Sequence, residues 1–174
     1  MRKIVLFIIT LSFVGCEFKA STKETTETKE TKEPEKKSNS KIRNGIVLKE
    51  EGIKVDQAFL IDHEDNLISG ENLTKVNQPL RVRLIIDSGL TATDGKVLLG
   101  ASEKVVTSDG DVVLDEEDLF ATVGAVPEKD AKILSLSVMI TKINKLVDFY
   151  EVKFRVWDKS SNNAVSGSFK FNVE

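Results

Sequence analysis

One cysteine, one histidine, one tryptophan and three prolines are spread through 174 residues. A lone thiol can form no disulfide within the chain and no thiolate metal site, so any folded part must hold together through its core alone. The single imidazole, His63, lies in the run Asp62-His63-Glu64-Asp65-Asn66. That run reads as a solvated turn, with a cation-binding turn as the alternative, and one histidine is too few for the usual His-based metal sites. The ten glycines are scattered at turns and compose no phosphate-cradling loop. No basic stripe is present either. Without Arg2 and Lys3 the balance is 23 positive against 28 negative residues, a charge of −5, which speaks against a nucleic-acid partner.

Long apolar runs are also missing, with one short exception. Arg2 and Lys3 are followed by Ile4 to Val14 (IVLFIITLSFV), broken only by Thr10 and Ser12. As a helix this run covers roughly 16 Å at about 1.5 Å per residue, against about 30 Å of bilayer hydrocarbon, so it is too short to span. A basic start and a short apolar core make it a secretory signal, removed from the mature chain. Cys16 comes directly after Phe13-Val14-Gly15. This stretch resembles the lipobox of bacterial lipoproteins, with Val14 and Gly15 in the positions before the cysteine and Phe13 where leucine is usual. The resemblance covers the first sixteen residues. It implies that Cys16 becomes the acylated N-terminus, carrying a diacylglyceryl group and often a further acyl chain. Read without the resemblance, Cys16 is an incidental thiol at the end of an uncleaved anchor or an ordinary signal.

Glu17 to Lys41 is a different material: seven lysines and six glutamates interleaved with threonine, and almost nothing apolar after Phe18. Such a segment buries too little surface to offset the entropy of ordering, and its β-branched threonines and missing apolar stripe argue against a helix. It is expected to be a disordered tether, with a reach of roughly 25 to 30 Å from about 5 to 6 Å per square root of residue number.

From Ile42 to Glu174 the pattern has period two. Leu80, Val82, Leu84 and Ile86 alternate with Arg81, Arg83, Ile85 and Asp87. Tyr150, Val152, Phe154 and Val156 alternate with Glu151, Lys153 and Arg155. Phe169, Phe171 and Val173 alternate with Ser168, Lys170 and Asn172. Each is a strand with one buried face. Further strands are expected over Ile46 to Lys49, Val55 to Ile61, Val97 to Thr107, Asp111 to Leu114 and Ile133 to Thr141. Turn chemistry separates them at Ser88-Gly89, Asp94-Gly95, Asp109-Gly110 and the polar loop Asp158 to Asn163. The expected fold is all-β: one antiparallel β-sandwich of immunoglobulin-like architecture over residues 42–174, without the cysteine pair of antibody domains. Asp115 to Ala121 (DEEDLFA) is expected to form a short helix between strands, because acidic residues precede Leu119 and Phe120.

Candidate chemistry is sparse. Asp109, Asp111 and Asp115, with Glu116 to Asp118 beside them, supply oxygen ligands suited to calcium, but their spacing does not match an EF-hand loop. A hairpin turn and a charged element start explain them without a metal. Asn72-Leu73-Thr74 matches a glycosylation acceptor by coincidence. Most aromatics fall on inward parity, leaving Trp157, Asp158 beside it and Phe149 as candidates for contact with a ligand or partner. Trp157 is either turned inward by a bulge or lies on the outer face. Together these readings point to a non-enzymatic binding or accessory module without a cofactor. It is held at a bacterial envelope membrane by an N-terminal lipid and faces an unknown envelope protein or glycan. The alternatives are a carboxylate- or calcium-dependent hydrolase and a purely structural envelope lipoprotein.

Overall fold

The computed structural model describes residues 41–174. The signal segment, Cys16 and nearly all of the tether lie outside the described residues. Eleven strands and one helical turn follow in order: β1 (Val47–Glu51), β2 (Lys54–Ile61), β3 (Leu73–Thr74), β4 (Leu80–Ser88), β5 (Lys96–Val97), β6 (Leu99–Thr107), β7 (Val112–Glu116), β8 (Val126–Pro127), α1 (Glu128–Ala131), β9 (Ile133–Val138), β10 (Tyr150–Asp158) and β11 (Ala164–Val173). The long strands are the segments whose apolar residues alternate with polar ones. On β10, Tyr150, Val152, Phe154 and Val156 are buried, while Lys153 and Arg155 are exposed. Alternation puts successive side chains on opposite faces, so one face of each strand enters the core.

The domain is an antiparallel β-sandwich. One sheet has the order β1-β11-β10-β6-β7, with the two-residue β3 added in parallel to β11. The other has the order β2-β4-β9, and β5 and β8 form a small separate ladder. The core lies between the inner faces: Leu60, Val82, Leu84, Leu136 and Val138 from the smaller sheet meet Val105, Val152, Val156, Phe169 and Phe171 from the larger. Tyr150 stacks on Phe171 at 5.4 Å between ring centres, and Phe169 bridges Phe154 and Phe171 at 6.5 and 6.3 Å. Such aromatic pairs contribute about 0.5–1.5 kcal/mol each beyond their buried area.

The expected hairpin of β10 and β11 forms in a continuous register from Tyr150↔Phe171 to Trp157↔Ala164. The run expected to be one strand from Val97 to Thr107 is instead divided at Leu98, whose carbonyl accepts from Lys159 N–H at 2.8 Å. The edge of the larger sheet is irregular at β7, where the register with β6 shifts between Val105 and Val106 and leaves Val113 unpaired. At the opposite edge, β1 is short and carries Lys49, Glu50 and Glu51.

The helix expected at Asp115 to Ala121 is not there. Strand β7 continues to Glu116, with Asp115 opposite Lys104, and turns follow it. The Asp118 carboxylate accepts from the N–H of Phe120 at 2.9 Å and of Ala101 at 3.2 Å, so the acidic side chain closes a turn against β6. Ser, Asp and Asn compete with helices in this way through local side-chain bonds to backbone. Among the described residues the only helical turn is α1, entered from Pro127. Among the described residues, no helix is long and apolar enough to cross a membrane.

Candidate functional site: the outer face of the larger sheet

Strand β10 runs through the middle of the larger sheet, and its odd-numbered residues point away from the core. This row runs Phe149, Glu151, Lys153, Arg155, Trp157, with Phe149 extending the ladder through its carbonyl to Ser108 N–H at 2.9 Å. Trp157 and Phe149 therefore stand at opposite ends of one row, roughly 26 Å apart at about 3.3 Å per residue. No bulge interrupts β10, so Trp157 keeps outward parity.

What lets the indole settle on the sheet is the size of its neighbours. Trp157 is paired with Gly100 on β6 and Ala164 on β11. A Cβ placed on Gly100 would come within 2.1 Å of Trp157 Cε2, so the indole lies directly over the Gly100 backbone and any side chain there would displace it. The ring stays partly exposed. The Arg155 guanidinium is 5.9 Å from the ring centre, within cation–π range. At the far end Lys170 Nζ sits 3.8 Å from the centre of the Phe149 ring, so each aromatic has a cation over it.

Between the aromatics, the strands flanking β10 contribute small hydroxyls and cations. Arg155 is opposite Ser102 and Ser166, and Lys153 is opposite Lys104 and Ser168. Three of the lysines on this face are neutralised: Lys49 by Glu51 at 2.8 Å, Lys153 by Glu151 at 3.4 Å and Lys104 by Asp115. Arg155 makes no ion pair among the described residues. Three shallow troughs cross this face end to end. One of about 400 Å³ is lined by Ser102, Lys104, Lys153 and Arg155 and by the acidic Asp115, Glu116 and Glu117. A second, of about 320 Å³, shares Lys153 with it, and a third of about 320 Å³ shares Val47 and Ser168 with the second. The three troughs adjoin one another along the part of the sheet that lies between Phe149 and Trp157, and neither ring lines them.

Asp158 is separated from Trp157 by one residue of strand alternation, and it faces inward. It is fully buried, and its carboxylate accepts three hydrogen bonds, two from the loop to Asn163 and one from Thr91. Oδ2 accepts from Thr91 N–H at 2.7 Å and from Ser161 Oγ at 3.0 Å, and Oδ1 accepts from Ser160 N–H at 2.8 Å. Burial works to raise its pKa, but these hydrogen bonds prevail and hold it below the usual aspartate value. Thr91 follows β4, so the carboxylate ties the two sheets together. The expected ligand contact at Asp158 is thus corrected to a scaffolding role. Asn163 completes the closure by donating Nδ2 to the Gly89 carbonyl at 2.9 Å.

The acidic candidates do not converge. Asp109, in the turn after β6, pairs with Lys145, which lowers its pKa. Asp115, on the outer face of β7, pairs with Lys104. Asp118 pairs with Lys159 at 2.7 Å, and that contact together with its two backbone donors overrides burial and lowers its pKa. Asp111 is exposed beside the turn. Among the described residues, no group of three or more His, Cys, Asp or Glu side chains is placed to hold a metal ion. His63 is exposed in its turn, where Asp62 accepts from Glu64 N–H at 2.8 Å and Asn66 N–H at 2.9 Å. Asn72 is not an available acceptor for a glycan. It is buried, and its Nδ2 donates to the carbonyls of Asn44 and Lys170, both at 2.8 Å.

Two residues escaped the sequence reading. Arg155 was visible there only as a polar alternate of β10, since nothing in a single strand says which neighbours will be serines. Glu103 shares parity with Ala101 and Val105, and that parity was the signal that could have found it. It is buried on the inner face of β6, opposite Phe154 and Glu116, with neither carboxylate oxygen hydrogen-bonded. Burial pushes its pKa up to about 7.

No protein-family model matches this sequence, and no curated protein matches it. Among solved structures the chain is similar to the crystal structure of the C-terminal domain of wzt. The identity is 10%, the alignment covers 76% of this chain and 80% of that one, and the TM-score is 0.46.

Proposed function

We propose that this chain is a lipid-anchored binding module of a bacterial envelope. Cys16 carries the lipid, residues 17–41 form the tether, and the sandwich presents the outer face of its larger sheet to a partner. The observation that carries the reading is the Phe149-to-Trp157 row: an open face on the most central strand, with an aromatic near a cation at each end and with Gly100 leaving room beneath the indole. A merely structural sheet face has no need of a glycine reserved for a surface tryptophan. A non-enzymatic role fits the dispersal of Asp109, Asp115 and Asp118 into separate ion pairs, because paired-carboxylate hydrolysis needs two such groups roughly 5 to 10 Å apart across a cleft.

The anchor follows from Val14-Gly15-Cys16 after the apolar run. Each buried methylene contributes about 0.8 kcal/mol, so two or more chains hold a protein on a bilayer without a spanning helix. In cell fractionation the wild-type chain should sediment with membranes and show lipid mass on its N-terminal peptide, while Cys16→Ala should be released or left unprocessed. A Cys16→Ala protein that partitions like wild type, with an unmodified thiol in the wild type, overturns the anchor. A crosslinker placed at Ser168 in intact envelopes should capture a defined protein or glycan, and recovery of nothing specific overturns the binding role.

A further inference from the structure

The chemistry of the groove narrows what it can hold. It is shallow and open, so it has no deep apolar pocket to receive the anchor side chains of a peptide. Its backbone groups are already spent in the ladder, with β10 paired on both sides over its whole length, so it cannot take an added strand. What the face does offer is a partly exposed indole lying over Gly100, hydroxyls from Ser102 and Ser166 one register step away, and a guanidinium flanked by both serines. A flat amphipathic ring suits the C–H face of a sugar, and hydroxyls beside it suit the sugar's own hydroxyls. Lys49, Lys104 and Lys153 each have a carboxylate within 4 Å, whereas Arg155 has none that close and feels Glu51 only at longer range; a guanidinium fork is matched to a carboxylate in two-point geometry.

We propose that the outer face of the larger sheet binds a glycan chain bearing carboxylate sugars, with one sugar ring on the Trp157 indole and its carboxylate on Arg155. The remainder of the chain runs along the groove across Lys153 and Ser168 toward Phe149. This rests on the binding-module reading and names its ligand class. The adjoining troughs, which share Lys153 and then Ser168, give an extended polymer more than one place to engage. Several weak subsites on one polymer raise the overall affinity through effective concentration.

Trp157 is the only tryptophan, so its emission reports this subsite directly. The full-length chain in detergent micelles is titrated with hexagalacturonate, with an alginate hexamer, and with maltohexaose as the uncharged control. At least one acidic oligosaccharide should change Trp157 emission saturably, with maltohexaose about tenfold weaker or more, the equivalent of one good charged hydrogen bond. Arg155→Gln keeps the Gly100 seat of the indole, checked by unchanged emission of the sugar-free protein, and should remove this preference for the acidic sugar while thermal melting stays as in the wild type. Trp157→Ala, followed by calorimetry, should lose binding of both kinds of sugar.

Equal affinity for acidic and neutral sugars, or an Arg155→Gln variant with unchanged preference, overturns the assignment of the carboxylate. Absence of saturable binding to all three oligosaccharides overturns the glycan proposal. If the envelope crosslink then still captures a defined protein, the binding-module reading stands alone, and if it captures nothing, both fall.

Discussion

Glu103 and Asp158 are both buried carboxylates, and their surroundings push them in opposite directions. Asp158 is met by two backbone N–H groups and a hydroxyl, and the charged form is favoured. Glu103 is met by nothing that donates, so the neutral form is favoured and its pKa rises from 4.5 to about 7. The folded state therefore holds a proton that the unfolded chain gives up near pH 4.5. Stability from this group is complete below that value, declines as the pH climbs through about 7, and is then lost. The difference corresponds to about 3 kcal/mol. Denaturant midpoints measured at pH 4.5 and pH 8 should show this decline in the wild type, and Glu103→Gln should flatten it, leaving the variant the more stable protein at pH 8. An equal slope in both proteins would refute the assignment. For Asp158 the sign reverses. Its contribution is present above the ordinary aspartate value and is lost only in strong acid, and Asp158→Ala should cost roughly 2–4 kcal/mol at neutral pH by orphaning the Thr91 and Ser160 donors. Neither environment could be read from a list of residues. The inward parity of Glu103 was legible, but its lack of donors depends on what two other strands place beside it.

At the scale of elements, the strands were the readable part. Hydrophobic alternation at Leu80–Ile86, Tyr150–Val156 and Phe169–Val173 marks β4, β10 and β11 because burial on one face selects for period two and for little else. The Asp115–Ala121 segment misled for a physical reason. Acidic residues before an apolar pair suit a helix start, yet the same Asp118 side chain can close a turn on its own backbone, and Lys104 across the ladder extends β7 through Asp115. Tertiary partners decided between two locally acceptable conformations. Of the site, its two aromatics were legible and its architecture was not. Grouping Trp157 with Asp158 by adjacency failed, because neighbours on a strand face opposite ways, whereas Phe149 and Trp157, eight positions apart, share a face. The seat beneath the indole is a property of the β6–β10 pair. Gly100→Ala should therefore lift the ring, shift its emission to the red and destabilise the domain by about 1–3 kcal/mol, as overpacking does. An unshifted spectrum would mean that the indole does not rest there.

For the molecule as a whole, cohesion comes from one apolar layer between two sheets, without disulfides and with Asp109, Asp115 and Asp118 in separate ion pairs. Thermal unfolding is accordingly expected to be indifferent both to reductant and to the exchange of millimolar calcium for chelator. A rise in midpoint with calcium would point to a cation site at Asp109 and Asp111 after all. The exposed ion pairs of the outer face, such as Lys49 with Glu51 and Lys153 with Glu151, are each worth only about 0–1 kcal/mol, so moderate salt should move the midpoint little while weakening any acidic ligand.

The two rims of the larger sheet have a bearing on crowding. Copies tethered to one surface, as proposed, meet one another at far higher local density than free molecules do. A straight, uncharged rim would then recruit the rim of a neighbour and propagate a ribbon of shared hydrogen bonds. Here one rim is a five-residue strand carrying Lys49, Glu50 and Glu51, and the other is kinked where Val113 has no counterpart. Both are devices that deny a neighbouring copy a matching register, so a dense lawn of these domains can remain a population of individuals, each with its groove unobstructed.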